Sequence, residues 1–156
     1  MHYVIDGHNL IPFIRGIRLS DLDDELELIR QLQDFARVKR ARIEVYFDRA
    51  AAGHSGSRSI GNIKAIFVPI SSTADAAITK RIRSMGSQAG TCTVVTSDAK
   101  IISECKRMRA KVLSSGEFAK LIERAREKES DEGRNETDID QEEVDRWLDL
   151  FLGGNE

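Results

Sequence analysis

Four acids stand where a sheet would present them. Asp6, Asp48 and Asp98 each follow directly on a short β-branched or aromatic run, HYVI, RIEVYF and TCTVVTS, and Asp75 lies in the first helical turn behind a further run, IKAIFVPI. In an open parallel sheet, ligands bind beyond the carboxyl ends of the strands, where the strand order reverses. All four carboxylates are therefore expected to face one crevice. Converging carboxylates repel and raise one another's pKa unless a cation shares the site. Mg²⁺ or Mn²⁺ would resolve this, because hard divalent ions take oxygens from a few carboxylates and fill the rest with water and substrate phosphate. Each acid also has a purely local reading. Asp6 before Gly7 can form an Asx-turn, Asp98 can cap the next helix, Ser72-Thr73-Ala74-Asp75 fits a capping box, and Asp48 beside Arg49 can form a surface ion pair. Their joint placement at one edge favours the metal site. His8 and His54 raise a rival, metal-free acid–base cleavage through a ribose hydroxyl; without a fixed spacing they rank lower.

The elements that position these acids follow from periodicity. HYVI at 2–5 reads as a first strand ending in the turn chemistry of Asp6-Gly7. The segment 20–39 reads as a helix with Leu19, Leu22, Leu26, Ile29 and Phe35 on one face, Ser20 as its cap and Asp23 completing a capping box. RIEVYF at 42–47 is a strand that stops at Asp48, and the Gly- and Ser-rich stretch 49–61 reads as an exposed loop. A strand at 63–70 leads into a helix from about Thr73 through Ile78, Ile82 and Met85, closing at Gly86. TCTVVTS at 91–97 is the strongest strand signal and precedes a helix carrying Ile101, Ile102, Cys105 and Met108. KVLS at 111–114 and a helix from Ser115 to Arg126 complete the series. Strands alternating with helices imply parallel βαβ units with right-handed crossovers, hence a three-layer α/β sandwich of about five strands.

The chain has 156 residues, which suits one domain with an appendage. Its formal net charge of -2 conceals an asymmetry: residues 1–126 carry 21 Lys+Arg against 14 Asp+Glu, and residues 127–156 carry 3 against 12. A basic body is compatible with a polyanionic partner. Residues 127–140 read as an acidic flexible linker, and Val144, Trp147, Leu148 and Phe151 form one face of an amphipathic helix over 141–152. That helix either completes the core or sets its carboxylates in competition with a polyanion. Two cysteines without metal or disulfide spacing, no signal-peptide pattern and no membrane-length apolar run lead to the expectation of a cytoplasmic protein without a membrane partner.

The blocks Y-V-I-D-G-H-N-L-I at 3–11, V-Y-F-D at 45–48, S-T-A-D-A-A-I at 72–78 and T-V-V-T-S-D at 93–98 resemble, in order, the signature blocks of NYN domains of the YacP-like group, within the PIN-like nuclease superfamily. The resemblance covers residues 3 to about 126, and the helix around Trp147 is similar to one in that group. It implies a Rossmann-like sheet, divalent-metal-dependent endoribonuclease activity and metal ligands at Asp6, Asp75 and Asp98. Asn9 matches the family's amide, which holds a water beside the metal or a phosphate oxygen. Asp48 matches a block that contributes a further acid in related domains, and Thr96 and Ser97 match hydroxyl-bearing positions before the last acid. RNA, single-stranded or messenger, is the implied partner, with the ribosome as a candidate for presenting it.

Among the basic residues, helix periodicity brings Lys80 and Lys100 nearest the acids, where they can bind flanking phosphates. The cluster Arg37-Val38-Lys39-Arg40-Ala41-Arg42 falls at the opposite end of the sheet and suits solubility or a partner contact. The alternative to an enzyme is an RNA- or ribosome-binding module that keeps the fold without cutting. A phosphoacceptor receiver needs an adjacent acidic pair after its first strand, where Gly7 follows Asp6. A haloacid-dehalogenase-type phosphatase needs a second Asp two residues on, where His8 stands.

Overall fold

In the computed structural model, which describes residues 1–17, 23–50 and 53–132, the first strand lies near the middle of the sheet. The strands are β1 (His2–Asp6), β2 (Arg42–Ala50), β3 (Gly56–Ile60), β4 (Ile63–Pro69), β5 (Cys92–Val95) and β6 (Lys111–Leu113). Their spatial order is β3-β4-β2-β1-β5-β6, all parallel except the β3–β4 pair. The chain moves from β1 to β2 on one side and later returns to place β5 on the other. The strand order thus reverses at β1, and Asp6 ends the strand at the reversal.

Helices cover both faces: α1 (Gly7–Leu10), α2 (Asp24–Lys39), α3 (Ala74–Met85), α4 (Ala99–Arg107) and α5 (Ser115–Glu132). Because strand side chains alternate, Tyr3 and Ile5 pack on the α2–α5 side with Leu28, Leu32, Phe35, Phe118 and Ile122, while Val4 packs on the α3–α4 side with Ile78, Ile82 and Ile101. The rings of Tyr3, Phe35 and Phe118 meet with centroids 5.0–5.8 Å apart, locking α2 and α5 over β1. Cys92 and Cys105 are free and buried, and burial pushes both thiols up to about 11, so they act as apolar core residues.

The strands and helices at 63–126 lie where periodicity places them. Thr73 caps α3 by accepting from the Ala76 amide at 3.1 Å, and α3 closes at Gly86. Four details differ. Asp23 occupies the cap position of α2 without a side-chain cap bond, and Leu26 is half-buried while Leu28 and Leu32 are fully buried; Leu19, Ser20 and Leu22 lie outside the described residues. The stretch expected as a loop contains β3, which makes the sheet six-stranded; it is an antiparallel edge strand joined to β4 by a turn at Gly61-Asn62. Gln33 on α2 holds that hairpin by donating to the Ile60 carbonyl at 3.0 Å. Strand β2 continues past Asp48 to Ala50, and α5 runs to Glu132, through part of the expected linker. The remainder of the linker and the helix expected at 141–152 lie outside the described residues.

Candidate functional site

Asp6 is placed by the close approach of Gly7 to β2. A Cβ on Gly7 would stand 2.5 Å from Phe47 Cε1 and 2.9 Å from the Tyr46 carbonyl oxygen, so only glycine lets the chain turn from β1 into α1 against β2. Asp48 is positioned by an irregularity. The β2–β4 register shifts between Phe47 and Ala50, and Arg49 adopts a left-handed φ of 58°. Such a bulge re-aims a side chain at a sheet rim. The Asp48 carboxylate accepts the backbone amide of Ala74, fixing the start of α3 and with it Asp75 one residue on. Asp98 ends the β5 loop and caps α4, its Oδ1 accepting from the amides of Lys100 at 2.8 Å and Ile101 at 3.4 Å.

Asp6 and Asp75 feel the acids around them. Burial is the largest cause that pushes the Asp6 carboxyl up to about 6, with the charges of Asp75 and Asp48 adding to it and the Asn9 amide and His8 opposing. Asp75 is also raised, by burial first and then by Asp98 and Asp48, with Lys100 pulling the other way. Asp75 is thus the common neighbour of the other three. Among the described residues no three His, Cys, Asp or Glu side chains lie close enough together to hold a metal ion. In donor type and charge the set nonetheless fits a hard divalent cation: it offers carboxylate oxygens only, one carboxylate buried, with the charges of its neighbours raising Asp6 and Asp75.

Asn9 ties the edge together. Its Oδ1 accepts from the Ser97 amide at 2.8 Å and from the Ser115 hydroxyl at 2.6 Å, joining α1 to the loop before Asp98 and to the first residue of α5. Since the Ser97 amide can only donate, the Asn9 oxygen must face it, and only Nδ2 is left for a substrate contact. The Ser97 hydroxyl accepts from the Ser115 amide at 3.2 Å. Thr96 is fully buried and its hydroxyl accepts from the Asp98 amide at 3.1 Å. That bond makes Thr96 a buried support for the Asp98 loop.

His8 stands behind the acids. Its Nδ1 accepts from the Asp48 amide at 3.3 Å, and its Nε2 lies 3.1 Å from Glu25 of α2. The Glu25 carboxylate is the largest influence raising its pKa, so the ring is an electrostatic and packing partner of α2, set against Phe47. Lys80 and Lys100 are exposed and border a cleft between α3 and α4 that Asp75 also lines. Phe13 and Ile70 are 51% and 73% exposed on the segments that follow α1 and β4 at the same edge.

A polar cluster under α3 escapes the reading of the sequence. Glu44, buried on β2, receives Arg81 Nε and Nη2 at 2.8 and 2.9 Å, lies 2.6 Å from His2 Nε2, and accepts from the Tyr46 hydroxyl at 3.2 Å. Burial alone would raise its carboxyl, but Arg81 and His2 hold it below the ordinary value. An acid alternating with apolar residues in RIEVYF is the available signal, since an inward Glu needs a cation. Arg81 is therefore a structural partner of the sheet. No helix among the described residues is long and apolar enough to cross a membrane.

Comparison with known proteins agrees with this architecture. The crystal structure of Rae1 (YacP) from Bacillus subtilis superposes with a TM-score of 0.68 at 20% identity, covering 99% of this chain and 89% of that one. A tryptophan-to-leucine mutant of the same protein gives 0.65 at 24% identity, covering 92% and 90%. At these identities the likeness establishes the fold. No curated protein matches the chain. The YacP-like NYN domain model matches residues 3–150, almost the whole chain. The chain therefore belongs to the YacP-like NYN domain family, PIN-like nucleases with an RNA-related function.

Proposed function

We propose that this protein is a divalent-metal-dependent endoribonuclease whose metal ligands are Asp6, Asp75 and Asp98, with Asp48 and Asn9 in support. The observation that carries this reading is the gathering of acids at the strand-order reversal, where the charges of Asp75 and Asp48 add to burial in lifting Asp6 to about 6 and those of Asp98 and Asp48 help to raise Asp75. A divalent ion, Mg²⁺ or Mn²⁺, supplies Lewis acidity when bound, activating water and neutralising phosphate charge. The chain's own residues do the rest. Gly7 and the β2 bulge bring Asp6 and Asp48 to one edge, the Asp48 carboxylate holds the helix that bears Asp75, and Asn9 fixes the loop that presents Asp98. Lys80 and Lys100 favour the flanking phosphates. The exposed Phe13 and Ile70 suit unstacked bases, which favours single-stranded over duplex RNA.

One observation supports a second reading, an RNA- or ribosome-binding module that does not cut. One oxygen of Asp48 and one of Asp98 are already taken by backbone amides, and the acids form no closed group of three among the described residues. Incubating the protein with single-stranded and structured RNA in Mn²⁺, Mg²⁺ or EDTA, beside Asp6→Asn and Asp98→Asn, separates the two. Cleavage that needs metal and both acids is the expected result. RNA binding without metal-dependent cleavage selects the second reading.

A further inference from the structure

Beside the acidic edge, α3 and α4 enclose a cleft of about 580 Å³ lined by Asp75, Thr79, Lys80, Arg83, Lys100 and Glu104, among others. Such a volume is ample for one nucleotide. Lys80 and Arg83 are three positions apart and share a face of α3, while Arg81 turns away to Glu44. Among the described residues Lys80, Arg83 and Lys100 form no ion pair, whereas Arg81 and Arg107 do. The three cations outnumber the two carboxylates of the lining, of which Glu104 is paired with Arg107 and Asp75 feels Lys100, so the cleft keeps an excess of positive charge that favours an anion. A second cavity of about 440 Å³, walled by Ser55, Ser57, Phe67 and Ser72, shares Ala76 and Lys80 with the first. The two meet over the first turns of α3, so the opening is longer than a single small ligand needs and passes Asp75.

We infer that the α3–α4 cleft is the subsite for a nucleotide flanking the cut in single-stranded RNA, its backbone phosphate held by Lys80, Arg83 and Lys100, with the strand continuing across α3 toward β3. The assignment rests on the nuclease reading for its word "cut" and on the cleft itself for binding. A pairing of cations with a phosphate gives position without sequence preference, so the subsite grips any base.

The test uses the full chain, a fluorescein-labelled single-stranded RNA and EDTA, with anisotropy read over a salt series. The Lys80→Gln/Arg83→Gln double variant is expected to bind about tenfold or more weakly, and its slope of log K against log salt is shallower by about 1.4, two contacts' worth for a single strand. Lys64→Gln/Lys111→Gln, on strands at the start of β4 and β6, keeps wild-type affinity. Exchanging the cations as Lys80→Arg/Arg83→Lys retains binding; a loss there equal to that of the neutral double variant would trace the effect to packing and overturn the subsite. So would a neutral double variant with the affinity and slope of wild type. The two proposals fail separately. Wild type that binds RNA through these cations but never cleaves with Mn²⁺ removes the nuclease, whereas wild type that cleaves while the neutral double variant binds normally removes the subsite.

Discussion

Replacing Asp6 with asparagine stabilises the metal-free protein at neutral and alkaline pH, against the usual direction for a substitution at a site residue. Asp6 is 6% exposed, and its carboxyl is pushed from 3.8 to about 6. In the unfolded chain it titrates at its ordinary value. Between those two pH values the native state keeps a proton that the unfolded state has released, so stability falls as pH rises through this window and the penalty is constant above it. Each pKa unit corresponds to about 1.4 kcal/mol, so a shift of roughly two units costs about 3 kcal/mol. Asparagine has the same shape, carries no charge, and its Oδ1 can still accept from the Asn9 amide that serves Asp6. The variant is expected to gain about 3 kcal/mol at about pH 8, a rise in Tm of order 10 °C for a chain of this size, and nothing at about pH 4. Urea unfolding in EDTA at both pH values measures it. An Asp6→Asn protein no more stable than wild type at the higher pH, or one with the same gain at both, refutes the electrostatic reasoning. Mn²⁺ nearly closes the gap: at a hundred times its Kd it stabilises wild type by about 2.7 kcal/mol, with no comparable gain in the variant.

Other substitutions test separate parts of the edge. Asn9→Ala leaves the Ser97 amide and the buried Ser115 hydroxyl without their acceptor, for a loss of about 2–3 kcal/mol in denaturant unfolding. Arg81→Ala strands the Glu44 carboxylate, whose side chain is 6% exposed; with Arg81 itself 34% exposed the loss is about 2 kcal/mol, and RNA affinity is unchanged in anisotropy, unlike that of Lys80 variants. Phe13→Ala changes stability by less than about 1 kcal/mol but weakens single-stranded RNA binding about fivefold or more, the value of one base–aromatic stack. Equal affinity of Phe13→Ala and wild type would remove the stacking role.

The acidic edge of the sheet is legible because an acid following a short apolar run is a local pattern, and three of the four acids carry it, although β2 runs on to Ala50 and β5 stops at Val95. Asp75 is placed by its register in the first turn of α3. Strand β3 is hidden because an edge strand needs few apolar residues: GSRSI buries only Ile60, and its alternate positions carry Ser and Arg in the guise of a loop. The β2 bulge is a property of the pairing with β4 and has no signature in RIEVYFDRA alone. Asn9 stands out for its chemistry, but its partners lie 88 and 106 positions away, beyond any periodicity argument. The pairing of Glu44 with Arg81 is unreadable for the same reason, since it joins a strand to a crossover helix.

The Asn9 tie also has a consequence for biosynthesis. Ser115, which completes the edge, leaves the synthetic machinery 106 positions after Asn9, which begins it. A nascent or truncated chain ending before β5 has Asp6 without Asp98 at its side and an Asn9 oxygen with neither of its donors. The edge closes only when α5 docks, so a fragment that ends before β5 carries an unfinished site rather than a weakened one, and any activity that needs all four acids begins only after Asp98 and α5 have been made.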